Sequence, residues 1–354
     1  MSRRTTAQPT TRPAARRRLR ALVGAGLGAA LVATLASGLA AGGASAAGPT
    51  HDQLMAPYLN GPTHPRTTGI DIARDKVLVV AQGRNLDTFK RTPIEEATFA
   101  DKSTMLANRN VPLTGITVYN WTADTTSPIV SGNRYATWPQ LQGVVVRGGA
   151  VASEGLNHDR LDSMTPEERW QDTCGVLPSY RARGLDASSM YAYSGGPYQA
   201  VHQKQLVKSC YAFGRQYSTK RNVMNSLADP WVLGVRSLNG GCATASSTCF
   251  GVSGTRGYDT LENLRATVTP KAGEVAVLQV YHLLVGRGPS WDCTSTPHQT
   301  STTETYCLSD VMAFLDGLPA DVKVATTADL AAAVGRAPGQ LPGMTLRQYL
   351  KSQS

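Results

Sequence analysis

The sequence predicts an α/β protein whose strands are mainly parallel. Short apolar runs typical of buried strands alternate with amphipathic stretches typical of helices over one contiguous span. The chain has 354 residues, 41% hydrophobic and 17% charged, so it can bury a large core and is not a disordered polymer. In such folds functional groups collect at the carboxyl ends of the strands, so the residues that follow each strand are the candidates for chemistry.

The individual elements are predicted from hydrophobic spacing and from helix-start signals. Thr165-Pro166-Glu167-Glu168 is typical of a helix start, because proline suits the first turn. Strands are predicted over residues 76–81, 113–119, 150–153, 189–193, 274–284 and 321–325. Helices are predicted over residues 94–109, 138–147, 165–183, 200–213, 308–318 and 327–334.

Residues 1–47 are predicted to be a secretory signal peptide. The first 20 residues hold seven arginines and no acid, residues 21–47 carry no charge, and Ala44-Ser45-Ala46 is a small-x-small cleavage pattern. An uncleaved membrane anchor is the alternative, because the uncharged run is long enough to span a bilayer. We expect cleavage, and therefore a secreted or cell-wall-associated protein with no membrane contact after processing.

The positive charge belongs mostly to this signal. The full chain has 35 Lys plus Arg against 25 Asp plus Glu, a net charge of +10. Removal of the signal leaves 28 basic residues and a net charge of +3, with no dense basic run. Nucleic acid is therefore excluded as a partner class, and the mature chain is expected to act as a monomer.

The mature chain is predicted to form one domain with disulfides. Residues 48–70, rich in Pro, Thr, Gly and His, predict a flexible lead-in, residues 71–335 form the domain, and residues 336–354 are a loose tail or a short helix. Six cysteines in an exported chain are typical of three disulfides, and no C-x-x-C pair favours a zinc cluster instead. The pairing stays open, and the simplest set is Cys174–Cys210, Cys242–Cys249 and Cys293–Cys307.

Three strand ends carry residues suited to chemistry. Glu154 and His158, four residues apart after the strand at 150–153, could share one metal ion, although an ordinary polar loop is the alternative. His282 could protonate a leaving group or stabilise an oxyanion, or could simply be packed in a strand. Ser194 lies in a near match to the G-x-S-x-G nucleophile elbow, with Asp259 and His282 following in hydrolase order. We favour a glycine-rich turn there, with Tyr191 and Tyr193 flanking a pocket.

The stretches around these candidates also share the order and spacing of a known family pattern. Ser153-Glu154-Gly155-Leu156-Asn157-His158-Asp159-Arg160-Leu161 is similar to the S-H-x-x-x-H-x-x-L motif of the polysaccharide deacetylase (NodB-homology) family. Tyr191-Ala192-Tyr193-Ser194-Gly195-Gly196 resembles its F-A-Y-P-x-G turn, and Val277-Leu278-Gln279-Val280-Tyr281-His282 resembles its final catalytic strand. The resemblance extends over residues 76–335.

The resemblance implies a deformed (β/α) barrel that acts on a polysaccharide or cell-wall glycan. It implies a divalent metal, often zinc, that activates water to attack an acetyl carbonyl, with an Asp as base and a late His as acid. Carried onto this chain, His158 and Glu154 are the expected metal ligands and His282 the acid. The opening T-F-D-D-G motif is missing, because the equivalent strand end reads Val80-Ala81-Gln82-Gly83-Arg84-Asn85, and Asp87 is the nearest replacement for the base.

Three functions remain open from the sequence. The first is a secreted metal-dependent deacetylase with a divergent site. The second is a non-catalytic member that binds glycan in the same groove, with Trp121, Tyr191 and Tyr193 as stacking surfaces. The third is a serine hydrolase built on Ser194. The missing strand-end Asp pair favours the second, whereas Glu154, His158 and His282, all expected at one face of the barrel, favour the first, so neither of the two is preferred.

Overall fold

A computed structural model describes most of the chain from residue 50 onwards. The described residues are 50–65, 67–88, 96–194, 201–217, 222–223, 233–237, 261–280, 282–284 and 305–353. The predicted signal peptide lies outside them, as do the side chains of Cys242, Cys249, Cys293 and Cys307.

The strands within the described residues begin and end as follows. They are β1 (Lys76–Gln82), β2 (Leu86–Thr88), β3 (Leu113–Thr117), β4 (Ile129–Val130), β5 (Asn133–Tyr135), β6 (Ala150–Ser153), β7 (Met190–Ala192), β8 (Phe213–Tyr217), β9 (Asn222–Val223), β10 (Leu233–Ser237), β11 (Glu274–Val280), β12 (His282–Leu284), β13 (Thr305–Cys307) and β14 (Val322–Ala325).

The helices of the same part of the chain begin and end as follows. They are α1 (His51–Met55), α2 (Phe99–Asn108), α3 (Trp138–Val146), α4 (Pro166–Asp172), α5 (Leu177–Ala182), α6 (Val201–Cys210), α7 (Leu261–Val268), α8 (Leu308–Asp316), α9 (Thr327–Ala333) and α10 (Leu346–Lys351). None of these described helices has both the length and the apolar character that crossing a bilayer would need.

Parallel strands close into a barrel. Their order is β1-β3-β6-β7-β8-β10-β11, every neighbouring pair is parallel, and β11 pairs back onto β1 along its whole length. On the edge of β1 that faces away from β11, strand β14 pairs with the first half of β1 and β3 pairs with the second half. The predicted deformed (β/α) barrel is confirmed by this strand order.

Two apolar clusters show which side of each strand faces inward. One cluster contains Val79, Ala152, Ala192, Phe213 and Val277 and fills the barrel interior. The other contains the alternate strand positions and the buried faces of the helices. Side chains alternate along a strand. A residue two positions after a member of the interior cluster therefore also points into the barrel, near the carboxyl end of its strand.

Helix α9 covers the opposite, amino end of the barrel. Leu330 and Ala331 belong to the interior cluster, the Thr327 N–H donates to Thr114 Oγ1 at 3.2 Å, and the Thr327 hydroxyl lies 2.8 Å from that of Ser189. Thr326 caps the helix in a capping box with Asp329. The barrel is therefore closed below by α9, and its mouth lies at the carboxyl ends of the strands.

Two predicted elements are interrupted in the structure. The helix predicted over 165–183 starts at Pro166 as expected, with a Thr165–Glu168 capping box, but ends at Asp172. Thr173 has φ −96° and ψ −88°, and its hydroxyl donates to the Arg169 carbonyl at 2.7 Å, so a new helix starts only at Leu177. The strand predicted over 274–284 is divided into β11 and β12.

The lead-in is packed rather than loose, which corrects the prediction of a flexible segment over 48–70. Arg109 is fully buried and donates to the carbonyls of Tyr58 at 2.8 Å and Asn60 at 2.9 Å while pairing with Asp316 at 2.5 Å. Met55 is buried in the outer core. The segment is ordered because a buried guanidinium needs these acceptors.

The C-terminal tail and one disulfide fasten the outer layer of helices. The predicted Cys174–Cys210 disulfide is confirmed, with a sequence separation of 36. The tail forms α10, whose Tyr349 hydroxyl accepts from Arg169 at 3.0 Å, and the Met344 carbonyl just before it accepts from Trp170 Nε1 at 2.6 Å. The short-helix alternative for the tail is therefore the correct one.

Candidate functional site

Glu154 and His158 occupy the barrel mouth directly after β6. The His158 Nε2 atom lies 3.2 Å from Glu154 Oε1, and the side-chain exposures are 21% for His158 and 1% for Glu154. Glu154 lies two positions after Ala152, which faces the barrel interior, so the Glu154 carboxylate also points into the barrel. The structure thus brings together the two residues predicted as metal ligands.

A buried aspartate beneath the loop holds this pair in place. Asp172 accepts from the Leu156 N–H and from the Tyr191 hydroxyl, both at 2.7 Å. Gly155 has φ +82°, and a Cβ there would come within 2.1 Å of Asp172 Oδ2, so only glycine fits. Burial raises the pKa of Asp172 to about 6, although these two hydrogen bonds lower it. His158 itself has φ +64°, a strained conformation for a non-glycine residue.

Positive charge surrounds the Glu154 carboxylate. Neither carboxylate oxygen accepts a hydrogen bond of good geometry among the described residues. Burial alone raises the pKa of Glu154, but the His158 contact and the charges of Arg215 and Arg84 outweigh it, so the pKa lies below its ordinary value. Glu154 is therefore an ionised carboxylate inside the barrel.

Arg215 supplies the buried cation. It lies on β8 two residues after Phe213, so it has the inward parity, and it is fully buried. Its guanidinium donates to the Gln279 side-chain carbonyl on β11, which is also fully buried. The mouth of the barrel thus contains a layer of Glu154, Arg215 and Gln279 above the apolar interior.

Trp121 forms an aromatic edge beside this layer. Its ring centroid lies 5.4 Å from that of His158 and 4.9 Å from that of Tyr135, and the side chain is half-buried. Asn85 holds the turn, because its amide donates to Thr122 Oγ1 at 3.0 Å and accepts from the Val118 N–H at 3.1 Å. At the strand end where the family pattern has its Asp pair, this chain uses an amide to position Trp121.

The prediction that Tyr191 and Tyr193 flank a pocket as stacking surfaces is wrong. Tyr191 and Tyr193 are 0% and 2% exposed and belong to the outer core between the strands and the helices. Their neighbour Ala192 takes the inward position instead. Neither ring is open to a glycan, and Tyr191 acts through its hydroxyl on Asp172.

The other predicted catalytic residues make no described contact with the side chains of Glu154 and His158. Asp87, in β2, accepts from the Phe99 N–H at 2.8 Å at the start of α2, and its carboxylate interacts with the buried Lys102. Ser194 is buried and donates to the Glu154 carbonyl at 3.3 Å. His282 begins β12, and its side chain lies outside the described residues, as does Asp259. The roles proposed for Asp87, His282 and Ser194 stay predictions.

Three further residues of the site, Arg215, Arg84 and Asp172, are not predicted from the sequence. Arg215 lies in Phe213–Tyr217, where the predicted helix had been extended to residue 213 and no strand was expected. Asp172 lies near the end of a well-signalled helix, where a carboxylate is ordinarily solvated. An arginine within a strand of an α/β barrel would have been the detectable signal, had the strand itself been predicted.

The described donors do not fit a divalent metal. Among the described residues no three His, Cys, Asp or Glu side chains form a group that could hold one. At the mouth, the buried carboxylate of Glu154 is already balanced by the guanidinium of Arg215 and faced by that of Arg84. A dication placed there would meet two guanidinium charges and two ligands, whereas zinc sites use three or four.

Comparison with known proteins gives structural likeness only. No family model matches the sequence, and no curated protein does. The structure is similar to that of the T48 deacetylase with substrate, at 11% identity, 78% and 100% coverage of the two chains and a TM-score of 0.42. It is also similar to a Mycobacterium smegmatis structure assigned to the polysaccharide deacetylases, at 14% identity, 77% and 95% coverage and a TM-score of 0.41.

A further similar structure is that of the Streptococcus pyogenes deacetylase PplD in complex with acetate, at 13% identity and a TM-score of 0.32. That alignment covers 38% of this chain and 57% of PplD. Identities and TM-scores this low carry no argument about the site, which depends on its own geometry.

Proposed function

We propose that the mature chain is an exported carbohydrate-active protein of the polysaccharide deacetylase class that holds a cell-wall glycan at the barrel mouth. The observation that carries this is the arrangement Trp121–His158–Glu154, an aromatic ring beside a buried ionised carboxylate at the carboxyl ends of the strands. Sugar rings present C–H faces to aromatic side chains and hydroxyl donors to carboxylates. Both oxygens of the Glu154 carboxylate are buried and accept no hydrogen bond of good geometry from the described residues, so the group keeps unused acceptor capacity.

Export is part of the proposal. The arginine-rich start, the uncharged run and the Ala44-Ser45-Ala46 site support cleavage of residues 1–47. The Cys174–Cys210 disulfide supports an oxidising location, since disulfides persist there and are rare in the cytosol. Metal-dependent deacetylation is not part of the proposal, because the described donors do not fit the ion.

Retention on insoluble glycan tests the binding function. The purified mature chain is incubated with peptidoglycan, chitin and acetylated xylan, and the bound fraction is measured. We expect retention on at least one, and about tenfold weaker retention for Trp121→Ala, since one stacked aromatic contributes on the order of 1–1.5 kcal/mol. Val146→Ala, which alters an exposed residue at the end of α3, is the control and should bind like the wild type.

Two results would contradict the proposal. One is a folded wild-type chain that all three glycans fail to retain. The other is a Trp121→Ala variant that is retained as well as the Val146→Ala control. Near-ultraviolet circular dichroism of each variant shows that the comparison is between folded proteins.

A further inference from the structure

Arg215 and Glu154 lie at the same level of the barrel, with one small residue between them. Ser153 pairs with Tyr191 on β7, so the next residue, Glu154, lies level with Ala192, and Ala192 pairs with Arg215 on β8. The side chain of Ala192 faces the barrel interior, as do those of the two charged residues on either side of it. Because Ala192 has only a methyl group, the space between β6 and β8 is left to the carboxylate and the guanidinium.

The guanidinium is held in this position from the opposite wall of the barrel. Arg215 is fully buried and donates to the side-chain carbonyl of Gln279 on β11, which is also fully buried. Strands β8 and β11 lie on either side of β10, so the Arg215 side chain extends across the interior. A guanidinium does not lose its proton under conditions in which proteins fold. Arg215 is therefore a permanent positive charge in the layer that contains Glu154.

This charge compensates a carboxylate that burial would otherwise disfavour. Glu154 is fully buried, and an ionised carboxylate is stable in a protein interior only when a positive charge compensates it. Burial raises the pKa of Glu154, but the His158 contact and the charges of Arg215 and Arg84 lower it further than burial raises it. The compensating role that a metal ion has toward its carboxylate ligand is filled here by a side chain.

We propose that Arg215 takes the place of a divalent metal ion at the barrel mouth. Its guanidinium compensates Glu154, excludes a second cation from the Glu154–His158 pair and lets the mouth bind its glycan without a metal. The repulsion between a dication and a guanidinium is strong in a protein interior, where the effective dielectric constant is low. Only the statement about the glycan rests on the proposed function, because the exclusion of the ion depends on Arg215 alone.

The replacement changes what the mouth offers to a ligand. A metal ion binds oxygen atoms of the ligand, whereas a carboxylate accepts hydrogen bonds from its hydroxyl groups. Arg215 keeps Glu154 ionised, and both Glu154 oxygens are buried without a hydrogen bond of good geometry from the described residues. Glu154 is thus preserved as an acceptor for the ligand rather than used as a ligand of an ion.

Metal content tests the exclusion directly. The mature wild type, Arg215→Met and Arg215→Lys are dialysed against a small excess of zinc, and the bound zinc is measured by mass spectrometry and by titration calorimetry. We expect far less than one equivalent in the wild type and in Arg215→Lys, which keeps the positive charge. Arg215→Met should bind zinc about tenfold more tightly than the wild type or better, because the repelling charge is gone.

Matched variants show whether the gained zinc lies at the mouth. His158→Ala in the Arg215→Met background should remove the gained zinc. His51→Ala in the same background should not, although His51 Nε2 lies 2.8 Å from Asp101 Oδ2 in a second imidazole–carboxylate pair. A folded Arg215→Met variant that binds zinc no better than Arg215→Lys overturns the proposal.

The wild type decides the question if Arg215→Met does not fold. One equivalent of zinc in the wild type, lost in His158→Ala, overturns the proposal without any Arg215 variant. Glycan retention by the wild type should be equal with EDTA and with added zinc. Retention that EDTA abolishes and zinc restores would refute this inference and leave the proposed function standing. Failure of the glycan to bind under any condition would refute the proposed function, while the zinc measurement would still test the role of Arg215.

Discussion

The hydroxyl of Tyr191 donates to Asp172 Oδ2 at 2.7 Å, directly beneath the loop that carries Glu154 and His158. The other oxygen of Asp172 accepts from the Leu156 N–H at 2.7 Å. One buried carboxylate thus joins β7 to the mouth of the barrel. The geometry of the site depends on a residue that does not itself face the mouth.

Asp172→Asn should remove a pH dependence of stability. The folded pKa of about 6 is above the unfolded value, so the folded state binds the proton more tightly, and the free energy of unfolding falls as the pH rises from about 4 to about 6. The total fall is on the order of 2–3 kcal/mol. Urea unfolding of both proteins at pH 4, 5, 6.5 and 7.5 should show the difference between them growing in favour of the variant. A difference that is flat across this range would contradict the prediction.

Gly155→Ala should destabilise the fold by about 2–4 kcal/mol, because the new methyl group meets the Asp172 carboxylate and the backbone is left-handed. Gly184→Ala is the matched control. Gly184 has φ +73° with open space around a Cβ, so only the backbone term of about 1 kcal/mol remains. Equal losses for the two variants in thermal unfolding would show that contact with Asp172 is unimportant.

Removal of the disulfide by Cys174→Ala together with Cys210→Ala should cost about 3–4 kcal/mol, the loop-closure value for a separation of 36 residues. Denaturant midpoints with and without reductant provide the measurement. Reductant should lower the midpoint of the wild type, and the double variant should start from a lower midpoint. A wild-type midpoint that reductant leaves unchanged would contradict this prediction.

Arg109→Met should cost about 3–5 kcal/mol, because it leaves the Asp316 carboxylate and the carbonyls of Tyr58 and Asn60 without their buried donor. Arg74→Met, which removes an exposed arginine paired with Asp71, should change stability by less than about 0.5 kcal/mol. Limited proteolysis should then cleave the Arg109 variant within residues 50–65 first. Equal stability of the two variants would show that the hydrogen bonds of Arg109 to the lead-in do not stabilise the fold.

Elements with strong local signals were predictable from the sequence. Strand β6 has the predicted bounds, and α4 starts at Pro166 because proline and a Thr–Glu capping box specify that turn locally. Hydrophobic spacing similarly indicated β1, β3 and β11, since runs buried on both faces are typical of parallel strands. The barrel class followed from the alternation of such runs with helices.

Tertiary context decided what the sequence could not. In the three-residue strand β7, Ala192 faces inward and the flanking tyrosines outward, and no pattern within so short a strand reveals which side faces the barrel. The small sheet of β2, β5 and β4 also lacked a signal, because its strands have only two or three residues. The proximity of Glu154 to Arg215 depends on the order of the sheet, in which β6 and β8 lie on either side of β7.

The return pairing of β11 onto β1 sets an order for maturation of the chain. Lys76 pairs with Glu274, so the first strand keeps one unpaired edge until almost the whole domain has emerged. Shorter N-terminal fragments would present that edge to other chains, which invites aggregation. Long-range closure of this kind also slows folding.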